Sequence, residues 1–511
     1  MAGAEENEAG TEPETPLGQR MARGTLAQQG GTVAAIVSGL ITTTALGRSL
    51  TLREFGVYGF VVAFASYLYF VAGTVETTAV NEMAAAGDER ERDRAFTRSI
   101  VVYAALGCIA GILVALGGAL LVGVLDAPAP LAHQARLGAV AVGILTACGW
   151  VAKVFQDLLR ATHRFSAAAA SEATGSIILC VAVLVALWLD APLWVIIAAG
   201  SAIPLYVGLV AICTVALSGV HWSFRPGEIH RGELRRFLKF SGGVFVIAAS
   251  DLVVTSLDRV VLGALRSAAT LGLYEAAIRA NNLIRFWVGN FSVTLLPVLT
   301  GFQAKDDSER QRGLLLFGTR YTLIAVVGPT VTLMILSDRI LGVWLGDRYT
   351  LAAPALSIFL IWWLVAPNLS IVSTTLLVER QLRQLAIYAW LAATMNLVLS
   401  VALTAWLGLI GVAIGTTAGY LLAVPYFMSF AYEGRGVTVG DFARTAWLPA
   451  YAPGVLLAVL LGVARLALPL DNVWSVAAVA GGAVLCYWAG IFFLILDPGE
   501  RAFARGVLSR T

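Results

Sequence analysis

The chain has 511 residues, of which 58% are hydrophobic and only 13% charged, with a net charge of +3 and a mean hydropathy of +0.80. Soluble domains carry roughly 25% charged residues, so a bias spread over the whole length excludes a soluble protein with one anchor and implies an integral membrane protein. Cys108, Cys148, Cys180, Cys213 and Cys486 stand singly in apolar runs, a spacing that suggests neither a disulfide framework nor a cysteine-based metal site.

Residues 1–28 are acidic, contain Pro and Gly, and lack the basic-then-apolar order of a signal peptide; they read as a disordered cytoplasmic tail. About fourteen stretches then reach the ~20 apolar residues that a membrane crossing needs. Six fill residues 29–220. The segment 221–240, "HWSFRPGEIHRGELRRFLKF", is basic and amphipathic and reads as a cytoplasmic linker on the leaflet. Six more spans fill 241–431, two additional ones 446–496, and a cytoplasmic tail 497–511 ends the chain. The predicted class is an all-α polytopic membrane protein with about fourteen transmembrane helices.

Basic residues fix the orientation. One set of alternating loops and both termini hold 24 of the 35 Lys and Arg residues, among them Arg90, Arg94, Arg225, Arg235 and Arg312. The opposite loops hold seven, including Arg48, Arg266 and Arg348. Only an even number of spans with both termini in the cytoplasm gives this division.

An internal repeat accompanies it. "GGTVAAIVSGLITTTALGRSLTLREFGVYGF" begins at Gly30 and "GGVFVIAASDLVVTSLDRVVLGALRSAATLGLYEAA" at Gly242. Each runs one span, turns, and resumes at Gly-Val-Tyr (Gly56, Val57, Tyr58) or Gly-Leu-Tyr (Gly272, Leu273, Tyr274). Six spans of offset make it a parallel repeat about an axis along the membrane normal.

Charges inside the apolar stretches mark the interior, because each costs at least ~2.5–3.5 kcal/mol at the bilayer centre. In the seventh stretch Asp251, Thr255 and Asp258 share one helical face, with Arg259 beside them. In the eighth, Glu275, Arg279 and Asn282 share a face, and Asn281 and Arg285 stand four apart. Gly39, Ala63 and Tyr69 occupy the positions that match Asp251, Arg279 and Arg285 in the first copy, so the fold is built without these charges there. A salt bridge between Asp251 and Arg285 is expected. Glu76 in the second stretch is a further intramembrane carboxylate, Arg320 snorkels to a cytoplasmic end, and Lys153 with Asp157 reads as a surface ion pair. Trp344, Trp362 and Trp363 are candidates for stacking on sugars, although an interfacial belt explains most tryptophans of such chains.

"SLDRVVLGALRSAATLGLYEAAIRANNLIRFW", "LLPVLT", "LTLREFGVYGF" and "LGLIGVAIGTTAGYLL" together resemble bacterial polysaccharide-export flippases of the multidrug/oligosaccharidyl-lipid/polysaccharide exporter superfamily. The resemblance implies two pseudo-symmetric six-helix bundles around a central cavity, here with two C-terminal helices. It implies a non-enzymatic, multi-pass protein of the bacterial inner membrane that moves a polyprenyl-diphosphate-linked oligosaccharide by alternating access. The arginine-rich first-half motifs of lipid II flippases are missing. On that reading Arg259, Arg279, Arg285, Asn282 and Asp258 bind substrate, arginine being suited to a diphosphate, while Asp251, Glu275 and Glu76 couple to H⁺ or Na⁺. No cofactor is expected. Partners would be the lipid-linked glycan, membrane lipids, and a glycan polymerase or glycosyltransferases, with no nucleic acid. The rival readings are a cation-coupled multidrug antiporter of the same superfamily and a polytopic glycan enzyme, whose acidic metal-nucleotide motif or long arginine-rich loop is not found. Labelling of Arg235→Cys from outside intact cells is expected to give no signal; strong labelling would overturn the span count.

Overall fold

The structure, a computed structural model, describes residues 17–228, 232, 235, 237, 258–303, 308–378, 381–432 and 437–501. The expected tail (its first 16 residues), most of the linker, Asp251 with its proposed partnership to Arg285, and residues 502–511 lie outside them.

The described residues are helical, with one isolated bridge, Asp126 to Ser267. In chain order the main helices are α1 (Leu17–Ser49), α2 (Leu52–Ala84), α3 (Glu89–Ile112), α4 (Ala129–Ala161), α5 (Phe165–Trp188), α6 (Leu193–Ser201) and α7 (Ile203–Leu217). After a short helical segment at 258–265 come α8 (Ala268–Gln303), α9 (Ser308–Ile335), α10 (Ser337–Leu345), α11 (Ala353–Val378), α12 (Leu382–Leu407), α13 (Leu409–Tyr432), α14 (Leu448–Ala467) and α15 (Val473–Gly490). Among the described residues ten helices are long and apolar enough to cross a membrane, or eleven with the α6–α7 pair, which bends by 51°. Pro204 in the first turn of α7 lacks the amide that would continue α6. α2 and α8 run for 33 and 36 residues, about 50 Å each at helical rise, well beyond a ~30 Å hydrocarbon core.

Local signals place the helix starts. Thr51 and Glu54 form a capping box at α2, and Asp88 and Asn472 accept from backbone amides at α3 and α15. Each satisfies donors that the first turn of a helix leaves open.

The largest buried cluster straddles the two halves, joining Leu46, Phe55 and Phe60 to Leu271, Tyr274 and Leu345. Its seam is the crossing of α2 and α8, and the repeat explains it. A methyl group at Gly56 would overlap the Ala268 carbonyl oxygen, and one at Gly272 would overlap that of Leu52. Each repeated glycine thus admits the other half's backbone, while the tyrosine two residues on turns into its own half: Tyr58 fills the space at Gly200, and Tyr274 packs edge-on to Phe359.

Two arginines lock the face at which α1 ends and α2 begins. Arg48 donates to the carbonyls of Val343 (2.6 Å) and Trp344 (3.1 Å) at the end of α10. In return Arg348 donates to those of Gly47 and Leu50 (2.7 Å each) at the end of α1. Trp344 adds a 2.7 Å bond to the Thr44 hydroxyl. Both arginines satisfy carbonyls that a helix C-terminus leaves open. At the opposite face the linker begins tethered to α3: Arg90 and Arg94 bind Glu228, holding its carboxyl at about 2, while Asp93 accepts from the Ser223 amide. Trp222 packs against Phe96 and Phe155.

Gly56→Ala and Gly272→Ala should each lower the thermal unfolding temperature in detergent, since overpacking costs about 1–3 kcal/mol or more. Gly73→Ala, on α2 but with open space around it, should leave it unchanged.

Candidate cargo site

Glu275 is the hub of the buried charges. It is 2% exposed, and Gly59 across the α2–α8 seam leaves the space that its side chain fills. Arg259 donates through Nε to its Oε1 at 2.5 Å. Arg279, one turn further along α8, approaches Oε2 at 3.8 Å and donates to the Thr43 hydroxyl of α1 at 2.9 Å. Two guanidiniums on one carboxylate leave an excess positive charge, partly met by aromatic faces. Arg259 lies 5.3 Å from the Tyr274 centroid, and Arg279 lies 5.3 and 5.7 Å from Phe55 and Tyr58.

Asp258, the neighbour of Arg259, turns to the C-terminal half. Its Oδ2 accepts from Thr416 of α13 at 2.7 Å. Its Oδ1 is buried, with the Ser400 hydroxyl and Tyr274 as further side-chain partners of the carboxylate, and both amide atoms of Asn396 are buried without a hydrogen-bond partner among the described residues. Ser400 and Asn396 share a face of α12, pressed against the backbone at Gly415 and Gly419.

Two cavities flank α8. One, of about 360 Å³, lies in the C-terminal half and is lined by Asp258, Arg259, Asn281, Arg285, Trp362 and Tyr388 among others. The second, of about 540 Å³, lies between α1, α2, α5 and α8 and reaches Arg279, Glu172 and Trp344. Asn282 lines both. Of the predicted site residues, Arg259, Arg279, Arg285, Asn282, Asp258 and Glu275 are therefore gathered around one stretch of α8. The Arg285 side chain is exposed on that wall.

Glu76 is elsewhere. It joins a network at the other end of the N-terminal half, binding Lys153 (2.6 Å) and Arg160, while Asp157 accepts from Tyr103 (2.7 Å). Lys153 and Asp157 are 3% and 0% exposed, which corrects the expected surface pair. Spacing i, i+4 at a helix end reads as solvated until α2 and α3 are packed over it. Arg320, expected to snorkel to a cytoplasmic end, is buried and pairs there with Glu500 at 3.2 Å. Thr416, Ser400, Asn396 and Tyr388 were not singled out in the sequence, because uncharged polar residues also serve ordinary helix packing in membranes.

The family described as polysaccharide biosynthesis protein matches residues 21–303, more than half of the chain. The chain belongs to that family. It is 21% identical over 237 residues to the probable low-salt glycan biosynthesis flippase Agl15 of Haloferax volcanii. That match covers 44% of this chain and 48% of the relative, so the chain spans about half the length of the curated relative it matches. The lipid II flippase MurJ in an inward closed conformation aligns over 92% of this chain and 99% of its own, with a TM-score of 0.71 and 16% identity. A multidrug-resistance MATE transporter of the MOP superfamily, inward-facing, aligns over 79% and 96%, with a TM-score of 0.66 and 14% identity. These likenesses show the fold, that of the MOP transporters.

Removing the hub charge tests the arrangement. Glu275→Gln should destabilise the protein by about 3 kcal/mol, the lower end for leaving a buried charge uncompensated. Adding Arg259→Gln should recover part of that loss, read as thermal unfolding in detergent.

Proposed function

We propose that the protein is a flippase for a lipid-linked glycan with an anionic, diphosphate head group, working by alternating access in a bacterial inner membrane with both termini cytoplasmic. The observation that carries this reading is the charge on α8. Among the described residues, three arginines (Arg259, Arg279 and Arg285) stand against two carboxylates (Asp258 and Glu172) on the walls of two cavities that meet at Asn282, and Glu275 is buried behind Arg259 and Arg279. A cationic cargo would meet repulsion there, whereas a diphosphate gains charge-assisted hydrogen bonds. Membership of the polysaccharide biosynthesis family supports it, as does a relative named as a glycan biosynthesis flippase.

In this reading the locked face of Arg48 and Arg348 is extracytoplasmic, so the cargo path is open from the cytoplasmic side or occluded. Outward opening breaks both arginine contacts together while the halves rock about the site. Arg285 takes the diphosphate, with Arg279 as the next contact across Asn282. Glu275 holds its two arginines in place. Coupling falls to Asp258: its buried carboxylate, held by the Thr416 hydroxyl beside Ser400, takes a proton or Na⁺. No enzymatic step is needed, and glycan polymerase or glycosyltransferases would act before and after.

Arg285→Gln removes one charge and a donor fork. Each lost charge-assisted bond is worth about 1.5–3 kcal/mol, so lipid-linked glycan should accumulate on the cytoplasmic leaflet while dye efflux and drug tolerance stay unaltered. Normal surface glycan with altered drug tolerance would instead favour a multidrug antiporter, the activity named for the MATE neighbour.

A further inference from the structure

We propose that the cavity of the C-terminal half is the subsite for the first sugar of the cargo, a neutral pyranose hydrogen-bonded by Tyr388 and laid against the Trp362–Tyr420 wall. The inference rests on the flippase reading above and adds to it where the ring, as distinct from the diphosphate, is held.

Tyr388 lines this cavity, and its hydroxyl is buried with no hydrogen-bond partner among the described residues. Its ring is held against Phe427 at a centroid distance of 4.5 Å, so the hydroxyl is positioned as well as unpaired. A buried phenol normally finds a partner, and a sugar hydroxyl, donor and acceptor at once, can meet it in either sense. Asn281 is oriented for the same task. Trp363 donates from its indole nitrogen to the Asn281 carbonyl oxygen at 2.8 Å, which directs the amide NH2, a donor, away from that bond.

The aromatic wall supplies the apolar part. Trp362 and Tyr420 stack 4.5 Å apart at 18°, a flat surface on the cavity lining. The carbon–hydrogen face of a pyranose packs on such a surface while its hydroxyls reach the polar groups at the rim. At about 360 Å³ the cavity falls in the range of small-ligand sites.

Electrostatics sets the direction of binding. Asp258 stands in the cavity wall, and Arg259 is engaged by Glu275. An acidic ring seated against that carboxylate is disfavoured, a discrimination by repulsion. The exposed Arg285 guanidinium therefore marks the phosphate end of the cargo, with the ring pointing inward.

Binding of two synthetic probes to the full chain in lipid nanodiscs tests this: a short polyprenyl diphosphate, and the same lipid carrying one neutral hexose. In the wild type the sugar should improve affinity by about tenfold, the size of one or two net hydrogen bonds with an aromatic contact. Tyr388→Phe, which keeps the ring on Phe427, and Trp362→Leu should each reduce that ratio by about threefold or more, with affinity for the bare lipid unchanged. Unchanged bare-lipid affinity also reports that the variants are folded. Arg285→Gln should weaken both probes equally. A ratio near one in the wild type, or a ratio that neither variant alters, overturns the sugar subsite and leaves the flippase reading standing. Failure of the wild type to bind either probe overturns both.

Discussion

α2 and α8, from opposite halves of the repeat, cross with their backbones in contact, and the rest of the site depends on that approach. Gly56 and Gly272 admit each other's helix, and Gly59 leaves the volume that Glu275 fills. Were the helices held further apart by side chains, Glu275 would lose its enclosure. Arg279 would then lose Thr43, Phe55 and Tyr58 as neighbours, all contributed by the other half. Close packing of small residues is the means by which membrane helices associate, since lipid offers no hydrophobic drive between them. Here it also creates a place where charge can be buried.

That burial is asymmetric. The first copy of the repeat carries a glycine, an alanine and a tyrosine where the second carries Asp251, Arg279 and Arg285, so the sequence places these charges in one copy alone. The N-terminal half has charges of its own, Glu76, Lys153, Asp157 and Arg160, but they pair with one another at the far end of the bundle. Buried ion pairs contribute little net stability. Their more secure effect is to fix how α2, α3 and α4 sit together.

Much of this was legible in the sequence. Hydropathy located the apolar stretches, and the Gly-Val-Tyr and Gly-Leu-Tyr motifs marked two matching helix starts, although nothing in them showed that the helices meet. The stripe Glu275, Arg279, Asn282 was visible because charge is rare in a membrane span. The partners of those charges were not visible. Thr43 lies more than 230 positions from Arg279, and a lone threonine in an apolar run carries no sign of its neighbour. Thr416, Ser400 and Asn396 were silent for the same reason. Lys153 and Asp157 misled in the other direction: their spacing suited a solvated helix end, and only the packing of α2 and α3 shows them to be enclosed.

α12 and α13 turn about Gly408 at a φ of +59° and then lie backbone to backbone, with Gly411, Gly415 and Gly419 set against Leu403, Ser400 and Asn396. No side chain separates them, so the two helices behave as one stiff plate. Thr416 on this plate grips Asp258, which opens the short helical segment at 258–265. That segment carries Arg259 as the very next residue, clamped to Glu275 in the opposite wall. A single peptide bond thus joins the two grips like the axle between a pair of wheels. Whatever alters the hold on one residue therefore bears directly on its neighbour.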